Sequence, residues 1–211
     1  MRTFSAIDRI IDQIDQTLKA VFVPPPLDPF PGTIPHDDGE LSPADRDLGA
    51  RLMRVNHAGE VAAQALYQGH ALCATDSRVH ATMRRAGQDE LSHLHWTAAR
   101  LKELNGHRSY LTPLWYLGSF AIGASTALLG DAMSLGFVAE TERQVVAHLQ
   151  GHLARLPKAD QKTRCILEHM VADEARHATQ AIEAGGRSLP LPMRWGMRMA
   201  SQVMTRTAFW V

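Results

Sequence analysis

Glu90-Leu91-Ser92-His93 and Glu174-Ala175-Arg176-His177 are two copies of one chemical pattern, Glu-x-x-His. On an α-helix, a Glu and a His three residues apart project from one face, so both can hold the same metal ion. Each copy has a further glutamate upstream at nearly the same distance. Glu60 stands 30 residues before Glu90, and Glu142 stands 32 before Glu174. Two such pairs plus two glutamates are what a carboxylate-bridged two-metal site needs inside a four-helix bundle. Four carboxylates and two neutral imidazoles balance two divalent ions, and the mixed nitrogen and oxygen set suits iron or manganese better than zinc.

A single Glu-x-x-His arises readily by chance, and glutamates are common on solvated helix faces. The doubled spacing and the apolar setting separate these from that background. Leu167, Met170, Val171, Ala178 and Ile182 share the stripe of Glu174, and Met83, Ala86, Leu94, Ala98 and Leu101 that of Glu90. An unpaired charge in such a stripe is costly, and a metal removes the cost. The third helix offers Glu140 and Glu142. Glu142 shares its stripe with Leu135, Val138, Val145, Val146, Leu149 and Leu153, whereas Arg143, Gln144 and Ala147 give Glu140 a mostly solvated face. Glu142 is therefore chosen. Glu60 sits among Asn56, His57 and Gln64, and its place in the repeat carries its assignment.

A ligating histidine wants its second ring nitrogen bonded to an acceptor. Asp89 and Asp173, each directly before a ligand glutamate, are candidates for that role across an approximate two-fold axis; a surface position is the alternative. His148, six residues after Glu142, is a third candidate. Tyr67, seven residues after Glu60, is a candidate to contact substrate or relay an electron, the alternative being a core tyrosine with a bonded hydroxyl. His70, His80, His95, His107, His152 and His169 read as exposed or core-edge residues.

The elements that must position these residues are helices. Apolar spacing predicts a helix over 5–23, closed by Pro24-Pro25-Pro26 and a linker containing Pro29, Pro31 and Pro35. Ser42-Pro43 reads as an N-cap followed by proline at the first helical position. Core helices are expected over about 43–74, 77–104, 132–156 and 159–184, the second stopped by Asn105-Gly106 and the last by Gly185-Gly186. The division is thus an N-terminal helix and linker over 1–42 and a helical domain over 43–211. The chain has 211 residues, with 22 basic and 22 acidic side chains, so no basic field points to nucleic acid. Two cysteines, Cys73 and Cys165, fit a reducing compartment rather than a disulfide framework. Asp8, Arg9, Asp12 and Asp15 interrupt any apolar export signal.

Asn56-His57-Ala58-Gly59-Glu60, Asp89-Glu90-x-x-His93, Pro113-Leu114-Trp115, Thr126-Ala127-Leu128-Leu129-Gly130 and Asp173-Glu174-x-x-His177, in that order, resemble the demethoxyubiquinone hydroxylase family over about 48–183. The resemblance implies an all-α, ferritin-like four-helix bundle with a crossover helix, extra terminal helices and two iron ions per chain. By the motif match, Glu60, Glu90 and His93 correspond to the ligands of one half, and Glu142, Glu174 and His177 to those of the other. It implies a monooxygenase that hydroxylates the ring of a polyprenylated demethoxy-ubiquinol with O2 in ubiquinone biosynthesis. The chain departs from shorter members in its first 45 or so residues and in having Ala139-Glu140-Thr141-Glu142 before the third-helix stripe.

A polyprenyl substrate implies access to a membrane surface. Residues 109–130 carry no charged side chain, but Pro113, Gly118, Gly123 and several hydroxyls make a poor spanning segment. They read as a crossover helix whose apolar face forms a tail channel or docks on the bilayer. The last helix, with Met193, Trp195, Met197, Met199, Val203 and Met204 between Arg194, Arg198 and Arg206, reads as interfacial or as a homo-oligomer contact. A peripheral position on the cytoplasmic face of the cell membrane follows, with a ubiquinone-biosynthesis complex as a candidate partner. With no dinucleotide-binding glycine motif or P-loop, electrons must come from an external reductant, NADH among the candidates, or through the quinol. The rival readings are a ferroxidase or iron-storage bundle, and a non-catalytic quinone-lipid-binding assembly factor.

Overall fold

The computed structural model describes residues 40–211, together with Asp15 and Phe30. The helix expected over 5–23 and the proline linker otherwise lie outside the described residues. Over residues 40–211 six helices follow one another: α1 (Pro43–Cys73), α2 (Ser77–Glu103), α3 (Thr112–Ala127), α4 (Asp131–Arg155), α5 (Gln161–Glu183) and α6 (Leu191–Ala208).

Local chemistry sets the boundaries. The Ser42 hydroxyl accepts from the Asp45 amide and Pro43 takes the first turn, while Asp76 caps α2 and Asp160 caps α5 through the Thr163 amide. After α2 the chain turns through Asn105 at φ 57°, and Gly130 at φ 101° precedes α4. Glycine meets the second conformation without the Cβ penalty.

Helices α1, α2, α4 and α5 form the bundle, with α1 packed on α2 and α4 on α5. Two polar clamps hold the hairpins in register. At one end the Asp131 carboxylate accepts from the Thr75 hydroxyl and the Thr75 and Asp76 amides, tying the α1–α2 corner to the start of α4. At the other, Arg100 of α2 donates to Thr163 and to the buried Asp160. Between the ends lie two apolar layers. One gathers Leu52, Met53, Trp96, Leu101, Leu149, Leu167 and Met170; the other gathers Tyr67, Val79, Met83, Leu135, Val138 and Ala181. On every bundle helix the candidate ligands fall in sequence between these layers. Each buried large side chain contributes roughly 1.5–3 kcal/mol, which holds an ionisable layer between two dry ones.

Helix α3 crosses outside the bundle against α1. Gly69 and Gly123 permit the approach: a Cβ on Gly123 would overlap the Leu66 carbonyl, and one on Gly69 the Phe120 carbonyl. Helix α6 runs over α1 and α4 and buries only Ala208 fully.

Candidate two-metal centre

Glu60, Glu90, His93 and Glu174 each present a ligand atom, and these four atoms lie within 4.8 Å of one another. All four residues are at most 3% exposed. His177, also buried, sets its Nδ1 3.2 Å from Glu174 Oε2 and 3.5 Å from Glu90 Oε1. On the other side, His93 Nδ1 is 3.3 Å from Glu90 Oε2 and 3.0 Å from Glu174 Oε1. Each Glu-x-x-His glutamate therefore turns one oxygen toward each imidazole. Glu60 lies 3.6 Å from His93 Nδ1, at one flank. Glu142, outside that group of four, lies near Glu174 and Glu90, and the Tyr67 hydroxyl donates to its Oε1.

Both imidazoles point Nδ1 inward and Nε2 outward. His93 Nε2 meets Asp173 of α5 at 3.1 Å, and His177 Nε2 lies 3.3 Å from Asp89 of α2. Asp173 thus serves the histidine of the opposite hairpin with a hydrogen bond, whereas Asp89 stands near His177 Nε2 without making one. Asp173 is further held by Arg176 at 2.8 Å and is nearly buried, whereas the Asp89 side chain is 58% exposed.

Electrostatics show what the cluster lacks. Burial pushes the Glu60 and Glu142 carboxyls well above the usual range, and neighbouring glutamates push further. Burial opposes charge on His93 too, but bonds to Asp173, Glu174, Glu60 and Glu90 outweigh it and hold that imidazolium well above 6.5. The same contest leaves His177 at about 11. Glu90 is held low by His177 and His93 against its own burial, yet its Oε1 has no hydrogen-bond partner among the described residues. Protons here stand in for cations. The donor set of carboxylates and imidazoles with inward Nδ1 atoms fits two divalent ions, which would displace those protons.

A cavity of about 580 Å³ opens onto this cluster, its walls formed by α1, α3, α4 and α6. Glu60, Glu142 and Glu174 are exposed to it. The walls are apolar: Val55, Leu66, Leu114, Trp115, Ile122, Phe137, Met193 and Met197 among others. His148 lines the cavity, with its ring edge-on to His152 at 4.0 Å and its Nε2 unpartnered among the described residues. Among the described residues it makes no hydrogen bond to any of the six candidate ligands. Tyr67 is 1% exposed and is not part of the cavity wall; its hydroxyl is spent on Glu142.

The sequence model of the family described as "Ubiquinone biosynthesis protein COQ7" matches residues 47–208. The chain belongs to the COQ7 family. It is 54% identical over 207 residues to a protein of Nitrosospira multiformis named 3-demethoxyubiquinol 3-hydroxylase, covering 97% of this chain and 99% of that one. It is 50% identical over 214 residues to the protein of that name from Nitrosococcus oceani, covering 100% and 99%. The Burkholderia multivorans protein of the same name is 50% identical over 206 residues, covering 97% and 99%. The COQ7 match begins at residue 47, yet these relatives align over nearly the whole chain. The first forty or so residues are therefore shared with them. The six-helix, ferritin-like architecture is the one the motifs implied.

Three sequence readings need correction within this COQ7 bundle. Glu140 is not on a solvated face: it is 3% exposed and paired with Arg194 Nε at 3.0 Å and Gln144 at 2.9 Å. His70 and His152 are not exposed or edge residues. His70 is fully buried against the Ser134 hydroxyl, and His152 bonds Asn56 Oδ1 at 2.8 Å. The α6 residues of the cavity wall gave no site signal, since a methionine stripe reads equally as core or interface.

Proposed function

We propose that this chain is a 3-demethoxyubiquinol 3-hydroxylase, an oxidoreductase of ubiquinone biosynthesis, working through a pair of metal ions held by its own carboxylates and imidazoles. One observation carries the reading. Three of four buried glutamates at the cluster form the acidic floor of a cavity whose walls are mostly apolar, with His148 and a few amide and hydroxyl side chains among them. A ferroxidase would want an acidic route for hydrated cations; this route suits a lipid quinol.

The assignment is Glu60, Glu90 and His93 to one ion and Glu142, Glu174 and His177 to the other, with Glu90 and Glu174 between them. The ions are iron, which supplies dioxygen activation when bound. In the overall reaction a ring C–H becomes C–OH, the second oxygen atom leaves as water, and an external reductant, NADH among the candidates, provides two electrons. The chain's residues do the rest. Tyr67 fixes the Glu142 carboxylate and Asp173 the His93 ring, with Asp89 close to the His177 ring. The apolar walls exclude bulk water and hold the ring at one angle. His148 is the polar side chain of the wall best placed to meet a quinol oxygen.

Substrate reaches the cavity from a membrane. No helix of the described residues is long and apolar enough to cross one. Instead α3 and α6, which wall the cavity, expose Leu114, Leu117 and Ile122, and Leu191, Trp195, Met199 and Val203. This face seats the protein peripherally on the cytoplasmic side of the cell membrane, with the polyprenyl tail leaving between the two helices.

The test is iron content and Mössbauer spectroscopy on protein grown in labelled iron, alongside conversion of demethoxy-ubiquinol under isotopic O2. Two irons per chain with a coupled diferric signal, and one labelled oxygen in the product, support the reading. Unchanged iron in Glu90→Ala and Glu174→Ala would sink the ligand assignment. Iron without labelled product would sink the hydroxylase.

A further inference from the structure

A second pocket, of about 600 Å³, lies at the N-terminal end of α1, between the α2–α3 connection and the last residues of the chain. Arg46, Arg51, Arg54, His107 and Trp210 line it, and among the described residues Asp47 is the one carboxylate in its wall. Asp47 is taken by Arg51 at 2.8 Å, and that guanidinium also lies 4.5 Å from the Trp210 ring. Arg54 is only 7% exposed. It donates to the carbonyls of His107 and Phe209, at 2.9 and 3.2 Å, which satisfies hydrogens without cancelling charge. Among the described residues neither Arg54 nor Arg46 has a carboxylate within ion-pair distance. Arg108, beside this pocket in sequence, is likewise half-buried without one. A nearly buried guanidinium facing a cavity, with no carboxylate of the described residues within ion-pair distance, is an unfinished ion pair.

We propose that this pocket binds the phosphate of an anionic lipid headgroup. Guanidinium forks match phosphate oxygens, and two of these arginines have donors to spare. Its position chooses the source of the phosphate. Trp210, 69% exposed, closes α6, and Tyr110, 71% exposed, stacks on His107 at 4.8 Å just before α3. These two aromatics therefore flank the end of the apolar α3–α6 face, as Trp and Tyr flank a bilayer core at headgroup level. Arginines just beyond them stand where lipid phosphates would be. The pocket then fixes how the protein sits, and so how the cavity mouth meets the membrane. The inference rests on the docking of that face proposed above.

The experiment measures binding of the full chain to vesicles of phosphatidylcholine alone and of phosphatidylcholine mixed with phosphatidylglycerol. It compares wild type, Arg46→Gln/Arg51→Gln, and Arg84→Gln/Arg85→Gln, which removes equal charge from the exposed part of α2. Wild type and the α2 variant should prefer the mixed vesicles. The pocket variant should lose roughly thirtyfold of that affinity, about fivefold per arginine, with neutral-vesicle binding and circular dichroism unchanged. An equal loss in the α2 variant would mean general charge attraction and overturn the site. Neutral binding without anionic preference would overturn the site and leave the docking face standing. Absence of binding to either vesicle would overturn the docking reading and this inference with it. Calorimetry with inorganic pyrophosphate covers a soluble anion: binding that the pocket variant loses, without vesicle preference, would overturn the lipid assignment.

Discussion

Arg194 on α6 sets its guanidinium Nε 3.0 Å from Glu140 on α4, a carboxylate only 4% exposed. Helix α6 has few other ties, so this pair holds the part of it that carries Met193 and Met197 over the cavity. Arg194→Ala leaves Glu140 with Gln144 at 2.9 Å and a distant Arg143 at 3.9 Å. A loss of about 1–3 kcal/mol is expected for a buried acceptor that loses a charged partner. Proteolysis near the α5–α6 connection should quicken, and KM for the quinol should rise more than kcat falls. An unchanged cleavage rate would show that α6 is held elsewhere.

The two outer aspartates should not be equal. Asp173 is nearly buried and bonds His93 Nε2 at 3.1 Å, whereas Asp89 is largely solvated beside His177. Asp173→Asn is expected to weaken iron binding by roughly 10–100-fold, the usual cost of losing such a partner. Asp89→Asn should cost clearly less. Iron retained against a graded chelator measures both, and equal losses would contradict the geometry.

Helix α3 depends on two glycines. Gly123→Ala places a methyl into the Leu66 carbonyl, and forced overpacking costs about 1–3 kcal/mol. A Tm lower by roughly 3–10 °C is expected for a chain of this size. Gly151→Ala on α4, where a Cβ meets nothing within 4 Å, should instead be neutral or stabilise by up to about 1 kcal/mol. Thermal unfolding of both variants tests the contrast.

Acid should unfold this protein through histidines outside the cluster. Burial lowers His70 to about 4; burial, with Arg108 adding, lowers His57 to about 3; burial, with His148 adding, lowers His152 to about 2. Each is neutral in the fold and protonates near 6.5 when unfolded. Between the two values the unfolded chain binds more protons, so stability is complete above pH ~6.5 and falls as pH drops toward the folded value. Going from pH 7 to pH 5 costs about 2 kcal/mol per such histidine. Denaturant midpoints of wild type and His70→Gln should therefore differ in pH slope by about that amount. Parallel slopes would mean that His70 does not titrate this way.

Helix ends were legible because their signals are local. Ser42-Pro43, Asn105-Gly106 and Gly185-Gly186 act on their own turns, and the observed boundaries of the core helices fall within two residues of those expected. The repeated Glu-x-x-His was legible because both residues lie on one helix. Glu140 was not, because its partner sits on α6 and its own neighbours suggested solvent. His70 and His152 failed for the same reason: Ser134 and Asn56 are on other helices. Their burial is set by packing between helices, which no single-helix stripe records. The arginine pocket was invisible as well, since it joins α1, a loop and the chain's last residues.

The crossing of Asp173 to His93 and of Asp89 to His177 makes the two Asp-Glu-x-x-His segments interlock. The aspartate facing the outer nitrogen of each imidazole comes from the other hairpin, and each imidazole also meets a glutamate of that hairpin. The full set of candidate ligands therefore comes together only where the two hairpins meet. Metal retention should therefore track the docking of the two hairpins as well as the identity of the ligands themselves.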